Sequence, residues 1–125
     1  MPHIHLITSA DLVENVDIPD ILGKLVRELG AFESVRPRRI KAYHTLHNNW
    51  SMGEGAPPGF VHCQVLIKAG RTPELIESIR EVLFATLVEC FGKSYGEKEA
   101  AISLEVRELS ENGYVSVLPI GLDGD

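Results

Sequence analysis

Pro2 is the residue from which chemistry is most directly expected. Methionine aminopeptidases remove an initiator Met that precedes a small residue such as Pro, leaving a free secondary amine. An α-amino group titrates near about 7.7–8.0, and an apolar pocket or nearby cations lower that value. Such an amine can take a proton at neutral pH and return it elsewhere, which is general acid–base work. While Met1 stays attached, the Pro2 nitrogen is an amide without a basic lone pair. Arg71 is the second candidate. It follows Gly70 and precedes Thr72-Pro73-Glu74, a helix start, so it is expected where a helix N-terminus also attracts anions. Trp50, Met52 and Phe60 are candidates for an apolar wall that dries the Pro2 pocket. Of the five histidines, His3 and His5 share a strand face, His44 and His47 lie on opposite faces, and His62 belongs to another strand. No acid or cysteine accompanies them at metal spacing, so no metal site is expected.

These residues need elements to hold them. Residues 4–8 are apolar and β-rich, and predict a first strand directly behind Pro2. Residues 11–17 read as a polar connection. Ile18, Ile21, Leu22, Leu25, Val26 and Leu29 then form one apolar helical stripe, with Asp17 as N-cap, Pro19 in the first turn and Gly30 as the stop. Residues 38–47 alternate, which predicts a second strand with Arg39, Lys41 and Tyr43 on one face. Residues 48–59 hold three Gly and two Pro and predict a loop. A third strand follows over 60–69. A second helix starts at the Thr72 cap and ends by Gly92, with Ile76, Ile79, Leu83, Leu87 and Cys90 on one side. Residues 101–109 predict a fourth strand. The tail, 112–125, predicts an added edge strand or an interface arm over 114–120.

The pattern is an α+β fold: a duplicated β-α-β layout in one domain spanning 1–125, with repeats at about 2–48 and 60–109. Helical crossovers favour parallel pairing within each half. Two helices on one face of a four-stranded sheet leave the other face bare, and the expected cover is another subunit.

At 125 residues and a net charge of −6, the chain fits a single domain and argues against nucleic-acid binding. A pocket in it can still be locally basic and take an anion. Cys63 and Cys90 are expected as buried thiols rather than a bridge. No stretch has the length of a membrane span and no signal peptide is visible, so a cytoplasmic protein is expected.

The run Val61-His62-Cys63-Gln64-Val65-Leu66-Ile67-Lys68-Ala69-Gly70-Arg71-Thr72-Pro73-Glu74 resembles the opening of tautomerase-superfamily subunits. The whole chain is similar to the longer branch, the 5-carboxymethyl-2-hydroxymuconate isomerase family. The resemblance is carried by Pro2-His3-Ile4, Asp17-Ile18-Pro19, Trp50-Ser51-Met52-Gly53-Glu54-Gly55, Phe60-Val61-His62, Ala69-Gly70-Arg71 and Ile102-Ser103-Leu104-Glu105-Val106-Arg107-Glu108. It implies a homotrimer, no metal or organic cofactor, and a mature Pro2 that moves a proton within a 2-hydroxymuconate-type dienol. The implied substrates are small di- or tricarboxylates of aromatic catabolism, held by cations, with Arg71 at the family's Gly-Arg position.

The second strand departs from that pattern. Relatives have Ile-Arg where this chain has Ile40-Lys41. A lysine lacks the planar two-point contact of a guanidinium. Arg39, two residues earlier and of the same strand parity, is the expected replacement. Arg36, Arg38, Arg39 and Lys41 also fit a solvated basic strand edge. The competing functional reading is therefore a catalytically weakened relative, an anion-binding or structural oligomeric module.

Overall fold

Two β-α-β units follow one another in the chain. The structure, a computed structural model, describes residues 1–119 and 121–122. Strand β1 (His3–Ser9) leads through a 3-10 turn (Val13–Asp17) to helix α1 (Ile18–Gly30), then through a second 3-10 turn (Pro37–Arg39) to β2 (Lys41–His47). Strand β3 (Gly59–Ile67) leads to α2 (Pro73–Cys90), a short α3 (Gly92–Gly96) and β4 (Ala100–Glu108). The sheet order is β2-β1-β3-β4. β1 is parallel to β2 and β3 is parallel to β4, as helical crossovers require. The central pair, β1 and β3, is antiparallel, with His3 opposite Leu66.

Strand alternation decides what each face meets. Ile4 and Leu6 of β1 and Val61, Cys63, Val65 and Ile67 of β3 face the helices and are buried. Leu25 and Leu29 of α1, with Ile79, Leu83 and Leu87 of α2, close over them with no exposure. Each such side chain contributes about 1.5–3 kcal/mol by leaving water. The other face carries cross-strand polar pairs: His5 Nε2 with Thr45 Oγ1 at 2.7 Å, and His62 Nδ1 with Ser103 Oγ at 2.6 Å. Tyr43 there is 40% exposed. No helix among the described residues lies over that face.

Several expectations are corrected. The second strand does not begin at 38: Arg38 and Arg39 sit in the Pro37–Arg39 turn, where Ile40 N–H donates to Pro37 O at 3.2 Å. Proline's fixed φ suits the start of such a turn. The polar connection contains a 3-10 turn whose Glu14 is buried. Its carboxylate accepts from Ser94 N–H at 3.0 Å and Ser94 Oγ at 2.5 Å, which ties the turn to α3. Asp17 precedes α1 without a side-chain capping bond, because its backbone closes the preceding 3-10 turn. Thr72 does cap α2, its hydroxyl accepting from Leu75 N–H at 3.2 Å. Residues 114–119 form no strand. Instead the tail returns over the head of β1, where the Tyr114 hydroxyl lies 3.0 Å from His3 Nε2. The expected arm also includes Ile120, which lies outside the described residues.

Both cysteines are free thiols. Burial pushes the Cys63 thiol up to about 12. Among the described residues no group of three His, Cys, Asp or Glu could hold a metal ion, and no helix is long and apolar enough to cross a membrane.

Candidate active site

The antiparallel pairing of β1 with β3 builds the site. It brings the start of the chain beside the end of β3 and the turn that follows. Pro2 is buried there, and its carbonyl accepts from Lys41 N–H at 3.0 Å, which fixes it as the head of β1. A cleft of about 680 Å³ opens at this point. Pro2, Arg36, Arg39, Lys68, Arg71 and Tyr114 are among its lining residues.

The turn after β3 owes its shape to Gly70, which has φ +100°, a conformation that side-chain-bearing residues rarely adopt. Gly70 N–H donates to Glu108 Oε2 at 2.9 Å. The next residue, Arg71, donates from Nη1 to Lys68 O at 2.9 Å and from Nη2 to Ser34 O at 3.1 Å. It thereby joins this turn to the loop after α1. Its Nε is buried and has no hydrogen-bond partner among the described residues. A buried unpaired donor is costly.

Met1 still caps Pro2 and is only 9% exposed. Its amino group is pushed below 8.0, first by burial and then by Arg39, Lys68, Arg71 and Lys41. Both influences disfavour the charged amine. The cleft is thus a cationic hollow in an acidic protein, with an amine that it drives toward neutrality. That combination suits proton transfer on an anion.

The site residues read from the sequence divide into two sets. Pro2, Arg71 and Arg39 come together, although Arg39 arrives from a 3-10 turn rather than by strand parity with Lys41. Lys41 lies outside the cleft lining, exposed on the bare sheet face in register with His3. Its charge reaches the site by depressing His3 and the N-terminal amine. Trp50, Met52 and Phe60 do not form the wall of this cleft. Trp50 Nε1 donates to Pro58 O at 2.8 Å, and Phe60 N–H donates to Ser9 Oγ at 2.9 Å. Ser9 is at the far end of β1, about 20 Å from Pro2 at the usual strand rise. Arg36, Lys68 and Tyr114 were missed. Lys68 was legible as the cation closing β3, but nothing local marks Tyr114.

The fold and this cleft define a tautomerase-superfamily isomerase. The sequence profile of 5-carboxymethyl-2-hydroxymuconate isomerase matches residues 2–120, and the chain belongs to that family. It is 27% identical to the 5-carboxymethyl-2-hydroxymuconate Delta-isomerase of Escherichia coli over 110 residues, 87% of each chain. A 5-carboxymethyl-2-hydroxymuconate isomerase structure from Deinococcus radiodurans superposes with a TM-score of 0.85 at 28% identity, covering 93% of this chain and 88% of that one. A macrophage migration inhibitory factor-like protein of Entamoeba histolytica shares the fold at 15% identity and a TM-score of 0.63, covering 93% and 95%.

Proposed function

We propose that Pro2, freed of Met1, shifts a proton within a small unsaturated 2-hydroxy carboxylate and yields its 2-oxo isomer. The neutral Pro2 nitrogen takes the hydroxyl proton. The oxygen's electrons close the C2 carbonyl, the double bond shifts along the chain, and the protonated Pro2 returns the proton to carbon. The enol oxygen supplies the electrons and carbon takes the proton, so this reading calls for no metal or organic cofactor. Arg71 and Arg39 hold carboxylates, with Lys68 adding charge. The observation that carries the reading is the burial of Pro2 in a cleft lined by Arg36, Arg39, Lys68 and Arg71. A homotrimer, closed over the bare sheet face and working in the cytoplasm on intermediates of aromatic catabolism, fits this scheme. So does the symmetric trimer of a fused 4-OT protein, which shares the fold at 16% identity and a TM-score of 0.60, covering 98% of this chain and 99% of that one.

An intact mass first establishes that Met1 is gone. Ketonisation of phenylenolpyruvate or a 2-hydroxymuconate is then followed in the ultraviolet, with Pro2→Ala and Met1-retaining chains as controls. A large loss in both controls is expected; equal rates in wild type and controls overturn the mechanism. A second reading, a weakened anion-binding module, is favoured by Lys41 standing outside the cleft. It predicts carboxylate binding that depends on Arg71 but no turnover.

A further inference from the structure

Tyr114 lines the cleft beside Pro2. Its hydroxyl donates to the Met1 carbonyl oxygen at 3.3 Å and lies 3.0 Å from His3 Nε2. The Met1 carbonyl is bonded to the Pro2 nitrogen, so its oxygen sits about 2.3 Å from that nitrogen by standard peptide dimensions. Once Met1 has left, the space this acyl group fills lies beside the free Pro2 amine and within reach of the Tyr114 hydroxyl.

The hydrogen-bond directions form a one-way chain. The Tyr114 hydroxyl has one proton, and it goes to the acyl oxygen. With the proton so placed, the matching tautomer has His3 Nε2 donating to the Tyr114 oxygen. His3 Nδ1 is then the acceptor, and it meets the Tyr43 hydroxyl at 3.2 Å. That assignment needs a neutral His3. Burial, then Lys41 and the N-terminal amine, all push His3 below 6.5. The rings pack edge-on, His3 to Tyr43 at 6.0 Å and His3 to Tyr114 at 5.9 Å between centroids. The tail itself is pinned on both sides of Tyr114. Gly113 N–H donates to Ser110 Oγ at 3.0 Å, and Arg38 Nη1 donates to Leu122 O at 3.1 Å.

We propose that Tyr114 is a catalytic residue whose phenol donates to the substrate oxygen next to the Pro2 nitrogen, with His3 and Tyr43 as the residues that position it. This rests on the Pro2 reading above. As the hydroxyl proton moves to Pro2, negative charge gathers on that oxygen, and a preorganised donor stabilises it most in the transition state. The phenol therefore acts on turnover more than on binding. Arg71 and Arg39 are left to the carboxylates.

The test uses mature wild type, Tyr114→Phe, His3→Ala, the double variant and Pro2→Ala with phenylenolpyruvate. Tyr114 is half-buried and outside the core cluster, so Y114F keeps its fold, which a melting curve verifies. Expected for Y114F is a kcat lowered about 10- to 100-fold with KM changed less than about threefold. His3→Ala lowers kcat in the wild-type background but by less than about twofold in the Y114F background, because its effect passes through the phenol. Y114F at the wild-type kcat, with Pro2→Ala inactive, overturns the role of Tyr114 and leaves the Pro2 reading standing. Equal, additive losses from His3→Ala in both backgrounds overturn the positioning chain. Pro2→Ala at the wild-type rate, or a wild type without turnover, overturns the Pro2 reading and this inference with it.

Discussion

Replacing Ser94 by Ala tests whether the buried carboxylate of Glu14 holds the first unit to the second. The Ser94 hydroxyl donates to Glu14 Oε1 at 2.5 Å and the Ser94 N–H donates to Glu14 Oε2 at 3.0 Å. Glu14 is 7% exposed and Ser94 1%, so water does not substitute for the lost hydroxyl. A hydrogen bond to a charged group contributes about 1.5–3 kcal/mol. The better helix propensity of alanine returns about 0.5 kcal/mol, leaving a net loss of about 1–2.5 kcal/mol. A chain of 125 residues unfolds with an entropy near 0.26 kcal/mol/K. The melting temperature of S94A should therefore fall by about 4–10 °C. Differential scanning calorimetry at one fixed protein concentration reads this directly. Glu14 and Ser94 lie outside the cleft lining, so kcat and KM at 25 °C should not change. The partner variant, Glu14→Ala, should make S94A nearly silent in its background. A shift under about 1 °C in S94A, or full additivity with Glu14→Ala, refutes the clip.

Arg71→Lys keeps the charge but loses the fork that spans Lys68 O and Ser34 O. Its kcat/KM should fall about 10- to 150-fold, the equivalent of one charge-assisted hydrogen bond, in the same ketonisation assay. His3 and His44 both titrate below 6.5 in the folded chain, chiefly through burial. The unfolded chain then binds more protons, so stability is full above about pH 6.5 and declines as pH falls through the folded values. The melting temperature should be lower at pH 5.5 than at 7.5, and His44→Gln should flatten that slope. At Gly59, an added Cβ would stand 2.7 Å from Asp11 Oδ1 and 2.8 Å from Ser9 Oγ. Gly59→Ala should lower the urea midpoint by the equivalent of about 1–3 kcal/mol, the usual penalty of overpacking.

Local signals carried most of the fold. The apolar stripe of α1 and the Thr72 cap of α2 are set by nearest neighbours along the chain, and both elements lie where those signals put them. The strand pairing also followed, because a helical crossover constrains it. The failures share another cause. Glu14 falls in the segment that reads as a polar connection, because its partner, Ser94, is 80 residues away. The wall of Trp50, Met52 and Phe60 was inferred from residue type, whereas sheet direction sends those residues to the far end. Arg39 was given a strand parity that Pro37 had already interrupted. Tyr114 enters the cleft through contacts with Met1 and His3, more than a hundred residues away in sequence, and no periodicity encodes such a return.

The two β-α-β units are alike in layout but not in their chemical prospects. On the proposed mechanism, removal of Met1 turns the head of β1 into an amine. The corresponding place, the head of β3, is Gly59, whose nitrogen is an internal peptide N–H donating to Glu99 O at 2.9 Å. No processing short of backbone cleavage can make it basic. On that mechanism, joining two units in one polypeptide gives one reactive end for every two structural halves. The head of β3 is thus left to packing, where a Cβ on Gly59 would stand 2.7 Å from Asp11 Oδ1.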